Sequence, residues 1–175
     1  MESVRLLLNI AAAKDWDIQQ IDVKTAFLYG LLPPDEAEYL EQPESFADPS
    51  KEDWVWCLQR GLYGMKQSGW IWNKTMHKAM LNWGFCRLCT DPCVYYRATP
   101  LGTVLSAIHV DDFLIVSSSP EASCSFKEEL KSLWTISDLG EARFCVGIAI
   151  TRDWANRLVS ISQTALIDCI IQQFG

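Results

Sequence analysis

The most constraining feature of this chain is a pair of adjacent aspartates inside an otherwise apolar run. Residues 107–116 read AIHVDDFLIV, so Asp111 and Asp112 stand between two segments that favour β-strands. This arrangement predicts a β-hairpin with the aspartates at its turn. Adjacent carboxylates repel each other and are costly to desolvate, so a buried pair needs a positive partner such as Mg²⁺. A solvated polar turn is an equally good explanation of the pair.

Composition restricts the class of protein. A length of 175 residues suits about one domain, and 49% hydrophobic with 21% charged residues is typical of a globular protein rather than a disordered one. No run approaches the roughly 18 apolar residues of a membrane span, and the first residues lack a signal-peptide pattern. The seven cysteines are odd in number and widely spread, which predicts reduced thiols in an intracellular protein.

The charge of the chain is unevenly distributed. A net charge of −7 argues against a nucleic-acid partner, yet residues 60–97 hold six basic side chains against one acid, with three tryptophans and three tyrosines. Basic side chains interleaved with aromatic ones suit phosphate neutralisation and base stacking. A helix with a solvated lysine face and a tryptophan-rich core side would give the same pattern. Both interpretations of this segment stay open.

Hydrophobic periodicity and chain breakers predict a mixture of helices and antiparallel hairpins. Helices are expected at 4–13, 68–83, 120–134 and 162–174. Strands are expected at 18–23, 38–42, 54–58, 94–97, 102–109 and 113–117, with a further hairpin at 142–151 and 157–161. Such a mixture indicates the α+β class.

A third carboxylate is placed to join the aspartate pair. Asp22 stands near the end of the predicted strand 18–23, 89 residues before Asp111. If that strand packs beside the hairpin, three carboxylates converge, and they could hold two Mg²⁺ ions about 3.5–4 Å apart for in-line displacement at phosphorus. One ion would activate an attacking hydroxyl, and the other would stabilise the leaving pyrophosphate.

Several ordered blocks of sequence carry a resemblance to a known family. They are IDVKTAFLYG at 21–30, EYLEQPESF at 38–46, LYGMKQ at 62–67, DPCVY at 91–95, the aspartate pair, and DLGEARF at 138–144. In this order and at this spacing they resemble the reverse transcriptases of copia-type LTR retrotransposons. Each block alone is weakly specific, but the ordered set is highly specific and covers nearly the whole chain.

The resemblance implies an α+β reverse-transcriptase palm, with an antiparallel sheet and packed helices, at 1–161. The fingers would be largely missing, and a thumb would only begin at 162–175. The implied activity is RNA-directed DNA polymerisation with Mg²⁺, or Mn²⁺, as the cofactor. The implied partners are an RNA or DNA template–primer, deoxynucleoside triphosphates and the remaining polyprotein segments (fingers, RNase H and integrase), with no membrane. The implied location is the cytoplasm, a virus-like particle or the nucleus.

The resemblance also assigns roles to particular side chains. Asp22, Asp111 and Asp112 would be the catalytic metal ligands, and the carbonyl oxygen of Val23 would join them. Phe27 would lie under the deoxyribose of the incoming nucleotide, where its ring would clash with a 2′-hydroxyl.

Two further assignments concern the substrates. Gln67 would lie near the incoming nucleotide, and the segment 144–150 would grip the primer end. On spacing alone, Phe27 could equally be an ordinary core aromatic residue, and Gln67 could be a polar residue at a helix start.

Two positions depart from the family pattern. His109 stands where the family has tyrosine, which changes the size and charge of a side chain at the primer end. The sequence SGW at 68–70 stands where the family has Ala-Pro-Arg, which removes a helix-starting proline and an arginine suited to phosphate. Two other functions therefore stay open. One is a non-catalytic remnant or nucleic-acid-binding module that kept the palm fold, and the other is a palm-like nucleotidyl enzyme such as a cyclase.

Overall fold

The structure, a computed structural model, describes residues 2–174. Its α-helices are α1 (Glu2–Lys14), α2 (Ser68–Asn82), α3 (Pro120–Leu133) and α4 (Thr164–Phe174). Its strands are β1 (Asp17–Val23), β2 (Glu38–Glu41), β3 (Val55–Leu58), β4 (Cys86–Arg87), β5 (Val94–Thr99), β6 (Gly102–His109), β7 (Asp112–Ser117), β8 (Ile136–Glu141), β9 (Phe144–Cys145), β10 (Ile148–Asp153) and β11 (Leu158–Ser162). None of the helices in this described part combines the length and the apolar character needed to cross a membrane.

The chain forms two compact units, one of residues 1–24 with 79–175 and the other of residues 25–78. The larger unit contains a six-stranded antiparallel sheet in the order β4-β5-β6-β7-β1-β8. Strands β6 and β7 form the expected hairpin, and β1 pairs with β7 so that Gln20 lies opposite Leu114. A separate three-stranded sheet has the order β11-β10-β9.

Both faces of the six-stranded sheet are covered, which explains why its central strand β7 is continuously apolar from Phe113 to Val116. On one face, Leu8 and Ala11 of α1 share a buried cluster with Leu114 of β7. Successive side chains of a strand point to opposite faces, so Phe113 lies on the other face. There its ring centroid lies 6.4 Å from that of Phe126 in α3. The core therefore consists of two layers, one on each side of the sheet.

The smaller unit contains the β2–β3 hairpin, short 3₁₀ helices and the first part of α2. Its packing depends on a close approach at Gly30. A Cβ atom at this position would lie 2.6 Å from Cγ2 of Ile71, so a larger residue would push α2 away. Tyr29 and Trp72 also contact each other here, with ring centroids 6.4 Å apart.

The α+β class and the predicted helices are confirmed, as is the hairpin that carries the aspartates. Ser119 caps α3, since its hydroxyl accepts a hydrogen bond of 3.2 Å from the amide of Ala122. The prediction near the C-terminus is partly wrong. Strand β8 was not expected, and the hairpin predicted from 142 is formed by β10 and β11.

Strand β8 is not predicted by the sequence pattern because it contains a bulge. Its pairing with β1 shifts register between Gln20 and Ile21, opposite the sequence Asp138-Leu139-Gly140. Gly140 has a φ of +71°, a conformation that glycine adopts without strain, and its amide donates to Asp138 Oδ1 at 3.0 Å. Serine, aspartate and glycine in one short segment are typical of a loop, but here the glycine permits the strand to continue past an extra residue.

An ion pair fastens the bulged strand to α3. Lys127 Nζ donates to both carboxylate oxygens of Asp138, at 2.9 and 2.8 Å. Burial alone would raise the pKa of Asp138, but the hydrogen bonds from Lys127 and from the Gly140 amide outweigh it and hold the pKa below its usual 3.8. Since the pKa is lower in the folded state, the carboxylate stabilises the fold above about pH 4, and this contribution is lost as the pH falls through the folded-state pKa.

We expect Lys127→Met to lower the free energy of unfolding by about 1 kcal/mol at pH 7, since Asp138 is partly exposed and water screens the pair. The difference from the wild type should shrink as the pH falls below about 4. Urea unfolding at pH 7 and pH 3 measures both quantities. Lys131→Met is the matched control, because Lys131 forms an exposed pair with Glu128 on the same helix. An equal loss of stability at both pH values would contradict this account.

Candidate active site

The tip of the β6–β7 hairpin carries the two adjacent aspartates. His109 pairs with Asp112, so the turn consists of Val110 and Asp111 alone. Val110 has a φ of +59°, a conformation that costs a β-branched residue energy and that glycine would adopt freely. Strained turn residues of this kind occur at functional sites, where the surrounding structure holds them in place. The paired strands impose this geometry on the turn.

Strand β1 brings the third aspartate to the same place. Asp22 lies directly opposite Asp112 in the antiparallel pairing of β1 with β7. Facing residues of such a pair have their Cβ atoms about 4.5–5.5 Å apart. The amide of Val23 donates to the carbonyl oxygen of Asp111 at 2.9 Å, which fastens the end of β1 to the turn. The structure therefore brings Asp22, Val23, Asp111 and Asp112 together.

The electrostatics of Asp22 reflect this arrangement. Burial raises the pKa of its carboxyl group above the usual value, and the negative charges of Asp111 and Asp112 raise it further, while Lys24 lowers it. The three carboxylates are thus close enough to repel one another. A bound cation would relieve this repulsion.

The donor set fits a hard divalent cation such as Mg²⁺, which takes oxygen ligands and uses one or two carboxylates. Within residues 2–174, however, no three histidine, cysteine, aspartate or glutamate side chains are gathered tightly enough to hold a metal ion. The chemistry of the residues therefore matches a magnesium site, although their side chains do not surround a common point.

One residue of the site was not found from the sequence. Gln20 lies on β1 two residues before Asp22, on the same face, and its Nε2 atom donates to Asp112 Oδ1 at 3.1 Å. Gln20 is one of four polar residues in the seven-residue strand β1, so its residue type alone does not single it out. Polar and apolar residues alternate irregularly along β1, so the sequence pattern does not show that Gln20 faces inward.

A cavity of about 380 Å³ lies beside Asp112. His109 and Asp112 line it together with Cys145 and Val146 of the segment expected to grip the primer. Burial raises the pKa of Cys145 to about 11, and the charge of Asp112 adds to this shift. The thiol therefore stays protonated at neutral pH.

Phe27 and Gln67 both belong to the smaller unit. Phe27 lies on a 3₁₀ helix, Ala26–Tyr29, and its ring centroid lies 4.8 Å from that of Tyr63. Gln67 immediately precedes α2, and its Nε2 atom donates to Glu38 Oε1 at 2.7 Å. Both side chains are therefore held by neighbours within their own unit.

The basic and aromatic segment 60–97 divides between surface and core. The guanidinium group of Arg97 is buried and donates to the carbonyl oxygen of Trp83 at 2.6 Å and to Glu129 at 2.9 Å. Tyr95 is buried as well, so neither side chain can contact a phosphate or a base. Lys74 remains at the surface, with its Nζ atom 3.9 Å from the ring centroid of the exposed Trp70. The core interpretation is therefore correct for part of this segment.

Comparison with known proteins agrees with these motifs. The sequence is similar to a Pol polyprotein from transposon TNT 1-94 of Nicotiana tabacum, with 34% identity over all of this chain and 13% of that protein. It is 30% identical to a Pol polyprotein from transposon RE1 of Arabidopsis thaliana, over 86% of this chain and 10% of the relative. A transposon Ty5-1 protein of Saccharomyces cerevisiae is 36% identical over 74% of this chain and 42% of its own length.

The chain thus spans about an eighth of the length of the tobacco polyprotein. The resemblance to copia-type retrotransposons noted in the sequence is confirmed by these relatives. The sequence model of the family described as reverse transcriptase (RNA-dependent DNA polymerase) also matches this chain, over residues 1–175. The chain, in which Asp22 lies opposite Asp112 and beside Asp111, belongs to the reverse transcriptase family.

Proposed function

We propose that this chain forms the catalytic palm of an RNA-directed DNA polymerase that extends a primer by nucleotidyl transfer. The observation that carries the proposal is the pairing of Asp22 with Asp112 beside Asp111 at the hairpin tip. Three carboxylates concentrated at strand ends repel one another, and a divalent cation bound between them would offset that repulsion.

In this proposal Asp22, Asp111 and Asp112 hold the cation, and the carbonyl oxygen of Val23 completes the set. Bound there, Mg²⁺ would supply the positive charge that activates a primer hydroxyl and neutralises a triphosphate. The chain itself contributes rigid placement, because each ligand lies on or next to a strand of the same sheet. His109, Cys145 and Val146 line the cavity next to Asp112, which supports the proposal that the segment 144–150 holds the primer end.

The substrates and partners in this proposal are a template–primer, deoxynucleoside triphosphates and other segments of a polyprotein. Support comes from the length of the relatives, of which this chain covers 13% and 10% in the two plant polyproteins. We further propose that 1–161 acts as the palm and that 162–175 begins the thumb. We place the protein in the cytoplasm or a virus-like particle, since its seven cysteines are free thiols and six of them are exposed.

The proposal is tested by primer extension on an RNA template with deoxynucleotides, with and without Mg²⁺. Extension that depends on Mg²⁺ is the expected result. Salt-sensitive RNA binding without extension would instead support the second candidate, a nucleic-acid-binding module. That candidate is favoured by the carboxylates, which do not surround a common point, and by the exposed Trp70–Lys74 pair.

Phe27 provides a test of the nucleotide site. If its ring lies under the sugar of the incoming nucleotide, Phe27→Val should raise the use of ribonucleotides relative to deoxynucleotides by about 10-fold or more. The measurement is the ratio of kcat/KM for ATP to that for dATP. Phe46→Val is the control, because Phe46 is an exposed aromatic residue of the same unit. An unchanged ratio would mean that Phe27 does not contact the sugar and only packs against Tyr63 within its own unit.

A further inference from the structure

Gln20 occupies a position where an apolar side chain is expected. It lies on β1 between Ile18 and Asp22 on the face that packs against α1, opposite the buried Leu114. Only 8% of its surface is exposed. Burying a carboxamide destabilises the fold if its polar atoms lack hydrogen-bond partners. Its presence therefore calls for a specific partner.

The partner is the carboxylate of Asp112. The Nε2 atom of Gln20 donates to Asp112 Oδ1 at 3.1 Å, diagonally across the β1–β7 pair. Repulsion from Asp22 and Asp111 acts to turn this carboxylate away from the other two. A hydrogen bond to one oxygen of the carboxylate resists that rotation.

The kind of donor matters as much as its position. A lysine or arginine at this place would also hold Asp112, but it would neutralise part of the charge that attracts a cation. The carboxamide of Gln20 is neutral, so it orients the carboxylate and preserves the full negative charge of the site. Removing a partner that orients a metal ligand lowers metal affinity or activity by roughly 10- to 100-fold.

We propose that Gln20 is a positioning residue that fixes the carboxylate of Asp112 for a divalent cation. This inference rests on the proposed function, because it requires the three aspartates to bind the cation. It assigns Gln20 no contact with the substrate. Its effect should therefore appear in the concentration of metal that the protein requires.

The test compares Gln20→Met with the wild type, using Mn²⁺ as the probe and electron paramagnetic resonance to measure free Mn²⁺. We expect the dissociation constant for Mn²⁺ to rise about 10- to 100-fold. The Mg²⁺ concentration for half-maximal primer extension should rise in parallel, and saturating Mg²⁺ should restore most of kcat. Gln19→Met is the matched control, since Gln19 is the neighbouring glutamine and points to the opposite face.

A second measurement does not alter Gln20 and so remains decisive if Gln20→Met fails to fold. The side-chain amide signals of Gln20, followed by NMR in the wild type, should shift on addition of Mg²⁺ and also in Asp112→Ala. Those of Gln19 should stay in place in both experiments.

The outcomes separate the two proposals. If Mn²⁺ binds the wild type, fails to bind Asp111→Asn and binds Gln20→Met with unchanged affinity, the inference about Gln20 is overturned and the proposed function stands. If Mn²⁺ does not bind the wild type at these aspartates, the proposed function fails and the inference fails with it. The inference would also be overturned if the side-chain amide signals of Gln20 kept the same chemical shifts on addition of Mg²⁺ and in Asp112→Ala.

Discussion

Replacing Asp111 with asparagine should lower primer extension by more than about 100-fold. A residue that merely orients a metal ligand contributes about 10- to 100-fold, so the loss of a ligand should exceed that range. The fold should not suffer. Asparagine has the same shape as aspartate, and removing one of three mutually repelling charges should leave the thermal unfolding midpoint unchanged or raise it.

The experiment distinguishes a catalytic role of Asp111 from a structural one, because primer extension should fall while the thermal unfolding midpoint should not. Primer extension and thermal unfolding are measured on the same preparation. Asp35→Asn serves as the control, because Asp35 is an exposed aspartate of the smaller unit and should change neither quantity. Activity that survives in Asp111→Asn would remove Asp111 from the catalytic set. A large loss of stability would show that its role is structural.

The largest expected effect on stability comes from Phe126→Ala. Phe126 is fully buried, and its ring centroid lies 4.6 Å from Phe85, 6.2 Å from Trp83 and 6.4 Å from Phe113. Truncating a buried phenylalanine to alanine typically costs about 3–5 kcal/mol, through lost burial and the cavity that remains. Since domains of this size are stable by about 5–15 kcal/mol, we expect the variant to be partly unfolded at 37 °C.

Urea unfolding followed by tryptophan fluorescence measures this loss. Leu133→Ala is the matched control on the same helix, because Leu133 is 52% exposed and its truncation leaves no cavity. A cost below about 1 kcal/mol for Phe126→Ala would mean that the aromatic layer repacks around the gap, contrary to the behaviour of most cores.

Much of the site could be predicted because its elements are locally encoded. The apolar runs on either side of Asp111 and Asp112 define two strands and their turn with no reference to the rest of the chain. That Asp22 would lie opposite Asp112 required more than periodicity, because nothing local specifies that β1 pairs with β7. The ordered family motifs supplied the missing long-range information.

The features that escaped prediction depend on tertiary contacts. Gly140 converts a loop-like sequence into a bulged strand only because β1 is available to pair with it. Arg97 reads as a surface cation, but Glu129 and the carbonyl oxygen of Trp83 give it partners in the interior. Gln20 is buried within β1 and donates to a carboxylate 92 residues away. In each case the decisive partner is distant in sequence.

The two-residue turn at Val110 and Asp111 has a consequence for copies of this gene. Side chains alternate along a strand, so inserting or deleting one codon between Ile108 and Phe113 would move every following side chain to the opposite face of the sheet. Asp112 would then point away from Asp22, and after an insertion this would happen although every amino acid of the motif was still encoded. The length of this hairpin is therefore under a stricter constraint than the identity of Val110. A copy of the gene that keeps this length can still bring the three carboxylates together.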